Sequence, residues 1–164
     1  MKAAFITLGC KVNQYETQAM QTLLRERGHT IVPFAPGADA YIINTCSVTS
    51  TGDKKSRNAV RRARKMGPEA VIAVCGCYSQ LEPDAVESLG ADLIGGSSDR
   101  GGFISGLERA VEDRTTGRVL DEPLKRKGFE LLPPGGVDGR TRALLKVEDG
   151  CTNFCTYCVI PYAR

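Results

Sequence analysis

Apolar and polar positions along the first hundred residues switch between two spacings. Short apolar blocks at 3–8, 30–34, 40–44, 70–75 and 92–95 are too brief for helices, and each predicts a strand. Between them lie longer segments with apolar residues at helical spacing. Residues 13–27 carry Met20, Leu23 and Leu24 on one face and predict a helix ended by Gly28. Further helices are predicted at 53–66, stopped by Gly67 and Pro68, at 84–89 and at 103–113. Strands alternating with helices predict an α/β fold, flavodoxin-like or Rossmann-like, whose parallel sheet has helices on both faces.

From about residue 115 the alternation fails. The stretch 115–140 holds Pro123, Pro133, Pro134, Gly135, Gly136 and Gly139 and reads as a linker. Residues 142–147 predict one more strand, which runs into EDGCTNFCTYCVIPYAR. The expected organisation is a domain at 1–114, a linker at 115–140, and the start of a second, truncated unit at 141–164. That last strand has an unpaired edge and an apolar face without cover, so 141–164 is expected to be held only loosely against the first domain, or to be disordered.

Composition changes this picture little. The chain is 41% hydrophobic and 25% charged, with no run of about 18 apolar residues, so no membrane span is expected. The opening MKAAFITLGCKVNQ is too short in its apolar part for a secretory signal, which predicts a cytoplasmic protein. Net charge is only +3, but Lys54, Lys55, Arg57, Arg61, Arg62, Arg64 and Lys65 crowd into one predicted helix.

The seven cysteines change the picture most. A chain kept among reduced thiols does not use them as a disulfide framework, which turns attention to metal. Cys10, Cys46 and Cys77 each follow a predicted strand: the first, third and fourth. In a doubly wound sheet ordered 2-1-3-4-5 those strands are neighbours, and ligands bind beyond their carboxyl ends. Neighbouring strands lie about 4.8 Å apart, so the three thiols are able to reach one small cluster. Three thiolates suit an iron–sulfur cluster with one open iron better than a closed zinc site. Spacing alone leaves a second reading open, in which all three are small buried core residues. Cys75, inside the apolar run VIAVC, is expected in the core.

Cys151, Cys155 and Cys158 form a sharper, local signal: three thiols in one loop after a predicted strand, with no second pair for a zinc ribbon. Three ligands leave a fourth iron free to bind S-adenosylmethionine, and Tyr157 is placed to contact its adenine or simply to pack.

TLGCKVNQYET around Cys10, INTCSVT around Cys46, GCYSQ around Cys77 and GCTNFCTYCVIPYAR together resemble the tRNA methylthiotransferase family of radical S-adenosylmethionine enzymes. The resemblance implies two 4Fe–4S clusters, one held by Cys10, Cys46 and Cys77 and the other by Cys151, Cys155 and Cys158. It implies S-adenosylmethionine as cofactor, tRNA as substrate and a reductant protein as partner. KVNQYET is similar to the branch acting on N6-threonylcarbamoyladenosine beside the anticodon; other branches act on isopentenyladenosine or on a ribosomal-protein aspartate. The family continues into a barrel, so 141–164 is expected to hold only its first strand and loop, and the fragment alone to be inactive. On this reading the basic helix either binds tRNA phosphates or is a solvated face.

Two readings of other classes remain. An iron–sulfur electron carrier or scaffold is disfavoured by two separate sets of three cysteines, because simple carriers close a cluster with four ligands. A flavin protein of this fold needs a phosphate-binding loop after the first strand, where GCKVNQ stands instead.

Overall fold

The computed structural model describes residues 1–126, 128–133 and 144–164. Its sheet has six parallel strands: β1 (Lys2–Thr7), β2 (Thr30–Val32), β3 (Ala40–Thr45), β4 (Val71–Gly76), β5 (Leu93–Gly95) and β6 (Gly117–Val119). Their order is β2-β1-β3-β4-β5-β6. Every residue of β3 and β4 is buried, which explains why both read as nearly unbroken apolar runs: each lies inside a sheet covered on two faces.

Alternation along the strands divides the core. On one face Ala40, Ile42 and Ala73 pack with Met20 and Leu24 of α1 (Lys11–Glu26) and with Phe103, Ile104 and Leu107 of α5 (Arg100–Asp113). On the other, Tyr41, Ile43, Ile72 and Val74 pack with Ala59, Val60 and Ala63 of α2 (Ser50–Met66). Two one-turn helices, α3 (Cys77–Leu81) and α4 (Pro83–Glu87), follow β4 on that side, Val86 closing the cluster.

The α/β class and the order of the first five strands are as the sequence predicts. The sixth strand lies inside the stretch read as a linker: Leu93, Ile94 and Gly95 of β5 pair with Gly117, Arg118 and Val119. Only Val119 of those three is a strong strand former, so the segment carried no alternation to read. The sheet thus extends beyond 114, and a one-turn 3-10 helix (Pro123–Lys125) follows it.

Beyond residue 143 the structure departs further from expectation. Of the strand expected at 142–147, residues 142 and 143 lie outside the described residues, and 144–147 form no strand. Leu145 and Val147 face solvent while Lys146 is buried, the reverse of an apolar strand face. A loop then leads to the short α6 (Ile160–Ala163), which packs against α3. This segment is not loosely held, because Lys146 and Arg164 both reach a carboxylate inside the first domain.

Candidate functional site

The strand order reverses between β1 and β3, since β2 lies to one side of β1 and every later strand to the other. Loops leaving the carboxyl ends of two strands diverge at such a point and open a crevice between them. Cys10 stands three residues after β1 and Cys46 directly after β3; Cys77 follows β4, the next strand in the sheet. All three sequence-predicted positions therefore share one edge.

Local chemistry holds each loop in place. Gly9 has a φ of 94°, and a Cβ there would lie 2.8 Å from Cys46 Sγ, so the loop carrying Cys10 rests directly on Cys46. Asn13, buried in the first turn of α1, donates from Nδ2 to Leu8 O at 2.7 Å and Thr45 O at 2.8 Å, tying the loops after β1 and β3 together. Ser56 of α2 brackets Cys46, accepting from its N–H and donating to its carbonyl. At the end of β4, Gly76 turns with a φ of 101°, where a Cβ would lie 2.5 Å from Thr45 O. That turn makes Cys77 the first residue of α3 instead of a strand residue, so strand alternation does not put it on the same face as Cys75.

The cysteines sit in different surroundings. Cys10 is exposed at the start of α1, while Cys46 and Cys77 are buried. Burial pushes the Cys77 thiol up, and the Arg164 guanidinium, by charge and by hydrogen bond, opposes that. Cys75 is fully buried among the apolar residues of the α1/α5 face, and burial pushes its thiol up to about 11, so it stays protonated. It is a core residue, as expected.

Beneath this edge lies a charged network that sequence reasoning missed. Glu16 of α1 is completely buried, yet Arg100 Nη2 is 2.7 Å from Oε2, Arg164 Nη1 is 2.8 Å from Oε1, and Lys146 Nζ is 3.5 Å from Oε1. Burial raises the Glu16 carboxyl, but Arg100, Arg164 and Lys146 outweigh it and bring it down to about 2. Arg164 also donates to Asp149 Oδ1 at 2.7 Å and Asn13 Oδ1 at 2.7 Å. One guanidinium thus joins the clamp between the β1 and β3 loops to the segment carrying the terminal cysteines, and its charge also acts on the Cys77 thiol. The signal available in the sequence was Glu16 itself, a carboxylate on the apolar stripe of α1 with Met20, where a buried charge demands a partner.

Cys151 and Cys155 are exposed and Cys158 is half-buried. Their loop starts at Gly150, whose φ of 81° lets it pass against the Arg164 backbone. Cys158 N–H donates to Cys155 O at 2.9 Å, and Phe154 meets Tyr162 edge-on at 5.8 Å. Tyr157 points into solvent. A cavity of about 580 Å³ separates this loop from the chain after β6, with Arg126, Phe129, Glu130, Cys151, Phe154 and Arg164 in its wall.

Among the described residues no three His, Cys, Asp or Glu side chains are already disposed around one point as metal ligands. The donor chemistry nonetheless fits a cluster at the sheet edge: three free thiols on adjacent strand ends, with a buried cation beside one of them to offset thiolate charge. The terminal loop supplies three more free thiols of suitable spacing.

Residues 2–96 match the model of a family described as uncharacterized protein family UPF0004. Threonylcarbamoyladenosine tRNA methylthiotransferase MtaB of Bacillus subtilis is 44% identical over 98% of this chain and 36% of its own length. The protein of the same name from Aquifex aeolicus is 38% identical over 100% of this chain and 40% of its own. A tRNA-2-methylthio-N(6)-dimethylallyladenosine synthase of Zymomonas mobilis is 32% identical over 96% and 35%. The chain therefore spans between about a third and two fifths of the length of these relatives. With its first five strands and the three strand-end cysteines inside the matched region, the chain belongs to the UPF0004 family.

Proposed function

We propose that this chain supplies the cluster-bearing part of a tRNA methylthiotransferase acting on N6-threonylcarbamoyladenosine. The observation that carries the reading is the placement of Cys10, Cys46 and Cys77 at the carboxyl ends of three adjacent strands. The Bacillus subtilis and Aquifex aeolicus proteins named for threonylcarbamoyladenosine, at 44% and 38% identity, stand above the Zymomonas mobilis protein named for dimethylallyladenosine, at 32%, and this supports that substrate branch.

In this reading Cys10, Cys46 and Cys77 hold one 4Fe–4S cluster, and Cys151, Cys155 and Cys158 hold a second that binds S-adenosylmethionine. When bound, these groups supply one-electron cleavage of the sulfonium and the sulfur and methyl to be transferred. The chain's own residues hold and shape the site. Asn13 and Gly9 fix the Cys10 loop over Cys46, and Gly76 and α3 fix Cys77. Arg164 places positive charge beside the Cys77 thiol, whose ionised form burial alone would disfavour. Cys151 and Phe154 border a cavity large enough for a small-molecule cofactor, whereas Tyr157 lies outside its wall and is exposed to solvent. The complete enzyme works on tRNA in the cytoplasm with a reductant protein; no described helix is long and apolar enough to cross a membrane.

The test is nucleoside mass spectrometry of tRNA from a bacterial strain lacking its own threonylcarbamoyladenosine methylthiotransferase. Expression of the complete protein should restore the 2-methylthio derivative. Appearance of the methylthio group on isopentenyladenosine alone would reject the substrate branch, and an unaltered nucleoside profile would reject the function.

A further inference from the structure

We propose that the outward face of α2 binds the phosphate backbone of the tRNA substrate. This inference rests on the reading of the protein as a tRNA-modifying enzyme and adds a surface to it. Helix α2 turns Ser56, Ala59, Val60 and Ala63 toward the sheet. Lys54, Arg61 and Lys65, at the spacing of one helical stripe, are exposed on the other side, flanked by exposed Lys55 and Arg62. Asn58 completes the stripe, which has no apolar residue to enter a membrane.

Structural duties are confined to other basic residues of the helix, with one partial exception. Arg64 donates to Pro68 O, Ala70 O and Gly90 O and pairs with Asp92 at 2.7 Å, stapling α2 to the sheet. Arg57 lies over the Tyr78 ring, and Arg62, although exposed, stands 5.7 Å from the Phe34 ring centroid. Among the described residues no carboxylate pairs with Lys54, Lys55, Arg61 or Lys65. Helix α2 has seven basic residues and one acidic residue, whereas the whole chain has a net charge of only +3. The remainder is therefore net acidic, and the positive field is concentrated on this helix.

Position makes the patch useful. Helix α2 starts four residues after Cys46, at the cysteine edge, and Lys54 lies in its second turn. From Lys54 to Lys65 the stripe runs about 16 Å away from that edge, long enough to meet several successive phosphates of one strand. A polynucleotide whose reacting base reaches the cysteine edge can lay its backbone along these cations. Such contacts orient the RNA and carry no sequence information.

The test combines Lys54→Gln, Arg61→Gln and Lys65→Gln in the complete protein and measures binding of an unmodified tRNA transcript from about 50 to 200 mM salt. Arg57, Arg62 and Arg64 stay, and circular dichroism verifies folding. Loss of three phosphate contacts should reduce the slope of log affinity against log salt by about two to three units. Arg109→Gln with Lys125→Gln, exposed cations away from α2, should leave the slope unchanged. A folded triple variant with the wild-type slope would overturn the surface while leaving the proposed activity standing. Wild-type protein that binds no tRNA would overturn both.

Discussion

Replacing Glu16 by Gln removes one negative charge from the centre of the structure and almost nothing else. The amide keeps the shape of the carboxyl, yet Arg100, completely buried, loses its ionic partner, and Arg164 and Lys146 are left with Asp149 alone. Breaking a buried ion pair from one side costs about 3–5 kcal/mol because the surviving charge has no compensation. A second route gives a similar figure. Lowering the Glu16 carboxyl from 4.5 to about 2 corresponds to about 3 kcal/mol of stability linked to its ionisation. The sign follows from a pKa depressed on folding: the contribution is complete above pH 4.5 and is lost as pH falls through about 2. Urea unfolding should therefore place Glu16→Gln about 3 kcal/mol below wild type at pH 7, and the gap should narrow on acidification from 4.5 toward 2. A loss under about 1 kcal/mol, within the usual range for surface pairs, or a gap independent of pH, would refute the assignment of Glu16 as the ionised centre of this network.

Other perturbations test the remaining parts. Gly76→Ala forces a Cβ onto Thr45 O in a backbone conformation that L-residues avoid; it should destabilise by more than about 2 kcal/mol in thermal or urea unfolding, and a near-neutral result would mean the β4 end can relax. Arg164→Ala should free the segment carrying the terminal cysteines, read as faster proteolysis between 144 and 163 with the sheet domain intact; unchanged cleavage would show that α6 packing and the Lys146–Glu16 pair hold it without Arg164. Cys75→Ala should leave the iron content of anaerobically reconstituted protein unchanged, while Cys77→Ala lowers it; equal losses would mean that Cys75 is a ligand.

The sheet was legible in the sequence wherever burial on two faces made a strand uniformly apolar. β3 and β4 are such strands, and with β1 they carry the cysteines, so the shared edge could be read from order alone. β6 was hidden because Gly117 and Arg118 carry no apolar signal. The turn into α3 was hidden because it depends on the conformation of Gly76 and on room beside Thr45, which no periodicity reports. The terminal segment was misjudged for a different reason. Leu145 and Val147 suggested a strand seeking cover, but Lys146 and Arg164 are drawn inward by Glu16, a partner 148 residues from Arg164 in sequence. Pairing of buried charges at that distance leaves no local trace. Glu16 on an apolar stripe showed that a cation was required, not which one.

The placement of three thiols at one sheet edge is tested most directly by counting iron in a protein that has lost the terminal set. A variant with Cys151, Cys155 and Cys158 all changed to Ala, reconstituted anaerobically with iron and sulfide, should still bind one cluster of about four irons per chain. Adding Cys10→Ala, Cys46→Ala or Cys77→Ala to it should each abolish most of that iron and the accompanying cluster absorbance. Iron retained in full after the loss of any one of those three cysteines would contradict the claim that they hold a cluster together.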